Sequence, residues 1–200
     1  MKQLIFISLL MVSCSTLLAQ EDADGPFFKA ENLFTGGTLN LQFGNQTTAL
    51  GIGPYLGYSF NKYVDVAVSP AFNYVSVRDY QVVGDKLRQF AYGPGAFVRV
   101  FPFRFLFAQG QYEYNFLRLR YKPALGSSLN NDTYKLDAHC FLVGAGISNG
   151  KDFPYQKSYY YFSILWDIGK SLNSPYKDNL GRSVPIIRAG YNIALFQGKK

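Results

Sequence analysis

The 200 residues contain two cysteines, two methionines, one tryptophan and one histidine, and Asp, Glu, Lys and Arg together reach only 16%. A soluble domain ordinarily carries about 25% charged residues. Each scarcity excludes something. Two thiols, Cys14 and Cys140, are too few for the disulfide framework that staples many small exported domains. One histidine, His139, rules out a His-rich metal centre. After the first 20 residues no run approaches 18 consecutive apolar residues, so no helix is long and apolar enough to span a bilayer. Aromatic rings stand in place of the missing charge: 18 Phe and 16 Tyr.

The chain opens "MKQLIFISLLMVSCSTLLAQED": one lysine, a short apolar run, small residues, then acids. This is the pattern of a secretory signal peptide. Cleavage after Ala19 is expected, with lipidation at Cys14 as the alternative. Removing 1–19 leaves 181 residues, enough for one domain, with 19 basic and 13 acidic side chains, a balance of +6. Cys140 is then the single thiol, and no intrachain disulfide can form.

The mature chain alternates. In "LGIGPYLGYSFNKYVDVAVSPAF" one parity reads Leu50, Ile52, Leu56, Tyr58, Phe60, Val64, Val66, Val68 and Phe72. The other reads Gly51, Gly53, Tyr55, Gly57, Ser59, Asp65 and Ser69. A period of two is the mark of β-strands with unlike faces. Eight such segments are predicted, at 37–44, 48–60, 63–77, 87–101, 103–121, 133–148, 157–169 and 184–197, and no helix. Their connections alternate between one set ("NK", "FPF", "NGKDFPYQ") and another ("NQT", "RDYQVVGDK", "KPALGSSLNND", "SLNSPYKDNLGRS") that is mostly longer and rich in Gly, Asn, Asp and Ser. Short periplasmic turns opposite longer outer loops characterise outer-membrane barrels. An apolar band of ~25 Å crossed by tilted strands takes about ten residues per strand, which matches these segments. An eight-stranded interior is just wide enough for side chains to fill, so the large apolar parity is assigned to lipid. The expectation is an all-β, eight-stranded antiparallel up-and-down transmembrane β-barrel: a signal peptide at 1–19, a short periplasmic segment at 20–36, and the barrel at 37–200 with both termini periplasmic.

The words "GPYLGYSF" (Gly53 to Phe60), "YGPGAFVRVFPFRFLFAQGQYEY" (Tyr92 to Tyr114) and "LWDIGKSLNSPY" with "VPIIRAGYNIAL" (Leu165 to Tyr176, Val184 to Leu195) resemble the small outer-membrane β-barrel proteins of Bacteroidota-type bacteria. That resemblance covers most of the mature chain and implies the same fold and location. It implies no activity, since the family is mostly uncharacterised. Pro54, Pro70 and Pro94 fall inside predicted strands, where proline cannot donate to a ladder; they are expected at strand ends above the bilayer or at bulges.

With the apolar parity facing lipid, Asp65, Arg99, Glu113, Asp137, His139, Asp167 and Arg188 are expected to point inward, with Asn73, Gln109, Gln111, Tyr161 and Asn192. Asp65 and Arg99 are expected to pair near the periplasmic end, the other five to form an upper layer. A packed polar core explains such a set, because buried charges must be paired; an ion or proton site is the alternative. Catalysis is not expected. His139 and Cys140 are adjacent on one strand and so point to opposite faces, which separates a nucleophile from its base. "GPGAF" and "GAGISNG" lack the Lys and Ser/Thr of a phosphate loop, so neither a cofactor nor a metal is implied. The basic residues are scattered, which disfavours nucleic acid; Arg78, Lys86, Arg118, Arg120, Lys122, Lys177 and Arg182 near the loops suit outer-leaflet lipopolysaccharide phosphates instead. The expected role is structural or interactive in the cell envelope: integrity, adhesion, or docking of a surface or periplasmic protein partner, by a monomer with a filled lumen and no wide pore. Two alternatives are a lipid-modifying barrel enzyme using His139 and a soluble periplasmic carrier of apolar ligands.

Overall fold

A strand with two unlike faces still has two hydrogen-bonding edges to satisfy, and this chain satisfies them by closing on itself. The structure, a computed structural model, describes residues 29–44, 47–79, 83–124, 133–151, 158–178 and 180–196. Ten strands lie in the unit Glu31–Lys200: β1 (Leu33–Gly44), β2 (Thr47–Ser59), β3 (Val64–Val68), β4 (Ala71–Arg78), β5 (Lys86–Gly93), β6 (Gly95–Phe103), β7 (Leu106–Lys122), β8 (Thr133–Ser148), β9 (Tyr159–Asp167) and β10 (Ile186–Ala194). β3 and β4 are successive halves of one stave, as are β5 and β6. The described residues therefore build eight staves, each antiparallel to its neighbours in sequence. The ring closes where β10 returns to β1, with Phe34 opposite Ala194 and Leu41 opposite Ile187. The result is a closed eight-stranded antiparallel barrel with no free edge.

The β2–β3, β6–β7 and β8–β9 connections share one end, here the turn end, with the start of β1 and the finish of β10; the β1–β2, β4–β5, β7–β8 and β9–β10 connections share the other, the loop end. At the "NK" turn the Asn61 side-chain oxygen accepts from the backbone N–H of Tyr63 at 2.7 Å and of Val64 at 2.9 Å, a local side-chain turn that sets the hairpin. Predicted and observed strands agree to within a few residues. The first stave begins at Leu33, earlier than the expected 37. The signal peptide, the cleavage at Ala19 and the alternative at Cys14 lie outside the described residues.

The three prolines lie in mid-wall, away from the expected strand ends. β2 pairs Ile52 with Phe72 on one side of Pro54 and Leu56 with Val68 on the other, which sets Pro54 opposite Pro70. Ala71 pairs with Gly93 and Val68 with Ala96, which sets Pro70 opposite Pro94. All three face outward in one row. Antiparallel pairs alternate between hydrogen-bonded and non-bonded types, and Ser69 N–H donates to Gly95 O at 2.8 Å. Pro70 and Pro94 therefore meet at a non-bonded site, and the nitrogen of Pro70 faces Pro54. The two missing donors oppose each other, so the ladder loses a bond pair there without stranding an N–H against lipid.

Inward glycines make room for interior rings. A Cβ at Gly57 would overlap the ring of Phe34 and meet Ala67 Cβ at 2.7 Å, whereas a Cβ at Gly37, on the outward face, meets nothing within 4 Å. The space goes to an aromatic cluster near the turn end containing Phe34, Tyr55, Phe97, Phe101, Phe107, Tyr159 and Tyr161, with Tyr55 edge-on to Phe97 at 5.4 Å. Overpacking a filled core costs about 1 to 3 kcal/mol. Gly57→Val is expected to lower the folded barrel's denaturant midpoint by an amount in that range, and Gly37→Val to leave it nearly unchanged; equal midpoints would show that the interior tolerates the added methyls.

Candidate functional site

The inward parity of β7 reads Gln109, Gln111, Glu113 and Asn115, every second residue of "AQGQYEYN". All four are buried, and because side chains two apart on a strand share a face they form a column along the interior. Arg99 Nε donates to Gln109 Oε1 at 2.8 Å, Gln109 Nε2 to Gln111 Oε1 at 2.8 Å, and Gln111 Nε2 to Glu113 Oε1 at 2.8 Å. Arg188 reaches across from β10, with Nη1 on Gln111 Oε1 at 2.5 Å and Nη2 on Glu113 Oε1 at 3.0 Å. Asn115 Nδ2 donates to Glu113 Oε2 at 3.1 Å.

The loop after β9 completes this layer. Ser174, Pro175 and Tyr176 turn into the barrel mouth and are buried. Tyr176 OH donates to Glu113 Oε2 at 2.6 Å and accepts from Asn73 Nδ2 at 2.9 Å. The segment is held from outside by the pairing of Lys177 with Ser183 and by the Arg182–Asp178 ion pair at 2.8 Å. Backbone N–H groups and Arg182 hold the Asp178 carboxyl below its usual range. Asp167, at the end of β9, receives the N–H of Phe141 at 3.1 Å and of Gly169 at 2.8 Å, and the Ser174 hydroxyl at 2.5 Å. It ties the lid to the wall through hydrogen bonds and has no ion-pair partner among the described residues.

A second layer lies at the turn end. Asp65 and Arg99 are direct cross-strand neighbours and both are buried, but they do not pair with each other. Asp65 is held by Lys151 Nζ at 2.5 Å, by the Ser59 hydroxyl and by Tyr159 OH at 3.4 Å. Lys151 comes from the β8–β9 connection and also donates to Asn61 O at 3.1 Å. Burial pushes its ammonium below the usual lysine range, and Asp65 opposes that shift. Arg99 sits in the aromatic box, its guanidinium carbon 3.9 Å from the Tyr161 ring centre and 4.5 Å from that of Phe97. Its terminal nitrogens take no hydrogen-bond acceptor among the described residues; ring faces surround the charge instead.

Of the seven expected interior residues, Asp65, Arg99, Glu113, Asp167 and Arg188 point inward. Asp137 and His139 do not. Both are exposed on the outer face of β8, where Tyr112 OH lies 2.6 Å from His139 Nδ1 and Tyr114 OH 3.5 Å from Asp137 Oδ2. The parity of this stave is reversed from the expectation: Ala138, Cys140 and Leu142 face in, Phe141, Val143 and Ile147 face out. Both parities of 140–147 are apolar, so alternation could not choose between them. Three residues of the site that were missed outright, Lys151, Ser174 and Tyr176, sit in connections. No periodicity reports on loop residues; the one cue was that "SLNSPY" carries an aromatic among turn formers.

No protein-family model matches the chain, and no curated protein sequence matches it. Solved structures do resemble it. Ail, the attachment invasion locus protein of Yersinia pestis, superposes with a TM-score of 0.47 at 10% identity, over 81% of this chain and 96% of that one. The N-terminal β-barrel domain of Pseudomonas aeruginosa OprF gives 0.43 at 12%, over 82% and 98%. Neisserial surface protein A gives 0.39 at 13%, over 82% and 96%.

Proposed function

We propose that this chain is an exported outer-membrane barrel of the small Bacteroidota type, with periplasmic termini, a filled lumen and a structural or interactive role in the envelope. The observation that carries this reading is the inversion of the wall. Around the ring, large apolar side chains stand exposed, among them Leu39, Ile52, Phe90, Val143, Ile164 and Ile193, while Arg99, Glu113 and Arg188 are enclosed. Water is a poor solvent for a continuous apolar belt of this kind, and lipid a good one.

The interior argues for structure over transport or catalysis. The cavity beside Tyr176, lined by Asn40, Gln42, Asn73 and Val75, holds about 10 Å³, whereas a small-molecule site needs about 300 Å³ or more. His139 is on the outer face, and Cys140 points inward to Ser174, 3.4 Å away, so the thiol and the imidazole stand on opposite sides of the wall. Asp137 adds no charge to the upper layer, and Asp167 is satisfied by hydrogen bonds, so the acids there read as a packed polar core.

The test is fractionation of cells expressing the full chain. It is expected in the detergent-extracted outer-membrane fraction, with gel mobility that changes on boiling. Recovery in the soluble fraction overturns the reading.

A further inference from the structure

At the loop end the polarity of the wall reverses again. Ala49, Val75, Val77, Leu87 and Tyr121 make an apolar interior cluster, while the outward parity of β4, β5, β7 and β8 becomes basic. Arg78, Lys86, Arg88, Arg118, Arg120, Lys122 and Lys135 are all exposed there. Apolar inside and charged outside is the arrangement of a water-facing wall, so the change marks where these staves leave the membrane. Just below, the same outward face carries Tyr74, Phe90, Tyr92 and Phe116, rings of the kind that settle at the headgroup level.

The basic residues are neighbours of one another. Arg78 pairs with Lys86, Lys86 with Lys122, Arg88 with Arg120, and Arg118 with Lys135. Like charges directly opposite each other on one face destabilise a sheet. Among the described residues none of the seven has an ion-pair partner; the acid sharing this face, Asp137, sits lower, opposite Phe116 and beside Tyr114. Two of the cations expected from sequence to join them are engaged elsewhere: Lys177 donates to Gly169 O at 2.7 Å and Arg182 pairs with Asp178. Arg88 and Lys135 take their place in the ladder.

We infer that this cross-strand ladder of seven cations is a docking site for the phosphates of a phosphorylated glycolipid in the outer leaflet. It rests on the reading of the chain as an outer-membrane barrel. The occupant follows from position: the cations project sideways from the wall, directly above its aromatic belt, at the level where lipid phosphates lie. A multivalent anion there neutralises opposed charges that have no ion-pair partner among the described residues.

The full-length protein, folded into phosphatidylcholine vesicles, is first scored for membrane insertion by flotation. It is then titrated with bis-phosphorylated lipid A and with the same lipid stripped of its phosphates, using Arg88→Gln/Arg118→Gln/Arg120→Gln and the control Lys62→Gln/Lys170→Gln. The expected result is a preference of at least about tenfold for the phosphorylated lipid, reduced by roughly 100-fold in affinity in the triple variant, retained in the control, and weakened by added salt. Equal binding of the two lipids, or an unaffected triple variant, overturns the inference while leaving the barrel reading intact. Failure to insert overturns both. Inorganic polyphosphate binding the detergent-solubilised protein as tightly as lipid A, with the same loss in the triple variant, overturns the membrane source.

Discussion

Glu113→Ala is expected to lower the folding stability of the barrel by about 3 to 5 kcal/mol, the range for breaking one side of a buried ion pair. Glu113 is fully buried and is the hub of the upper layer, with Gln111, Arg188, Asn115 and Tyr176 all donating to it. Its removal leaves the Arg188 guanidinium enclosed with, among the described residues, only Gln111 to accept from it, and takes from the Tyr176 hydroxyl the acceptor that seats the lid. Tyr176→Phe should cost less, about 2 kcal/mol, since the two hydrogen bonds of the hydroxyl, to Glu113 and from Asn73, are lost while the ring remains. Urea titration in detergent micelles, read by the mobility difference between folded and unfolded protein, measures both. If Glu113→Ala costs no more than Tyr176→Phe, the upper layer is wet enough to resolvate Arg188, and the packed interior is refuted.

The turn end allows a sharper test, because Asp65 and Lys151 form an isolated buried pair with side chains almost wholly out of contact with solvent. Asp65→Ala is expected to cost about 3 kcal/mol or more, since it leaves an ammonium in the aromatic end of the barrel, beside Phe101 and near Arg99. Lys151→Met should cost less, because Ser59 and Tyr159 still donate to the carboxylate and the new side chain is apolar. The double variant should recover most of what Asp65→Ala loses. The same unfolding titration yields the coupling; strictly additive losses would mean that the pair does not operate in the folded barrel. Arg99 adds to the logic, since it is opposite Asp65 in register yet takes its stabilisation from rings.

Much of this architecture was legible in the chain. Alternation located all eight staves, because a lipid-facing wall imposes a period of two on every one of them. The contrast of "NK" with "SLNSPYKDNLGRS" separated the two ends. Asp65, Arg99, Glu113, Asp167 and Arg188 were recognised as interior residues because each interrupts a face otherwise small or polar. Stave six failed for a definable reason. Its two faces, Ala138, Cys140, Leu142 and Phe141, Val143, Ile147, differ in size more than in polarity, and its polar side chains Asp137 and His139 lie where the outward face is no longer purely apolar. Only the register that sets Cys140 opposite Glu113 and Asp137 opposite Phe116 resolves it.

The sequence by itself determined the strand count, the closed wall and, on every stave but the sixth, the identity of its apolar side, since those follow from local periodicity and from the need to pair every edge. Tertiary structure decided what meets what. Pro54, Pro70 and Pro94 are scattered over 41 positions of chain yet fall in one row; Lys151 and Tyr176 enter the lumen from opposite ends; Arg88 comes to face Arg120, and Arg118 to face Lys135. Such contacts depend on register and on the reach of loops, quantities that a single strand's pattern does not contain and that are set only when the ring closes.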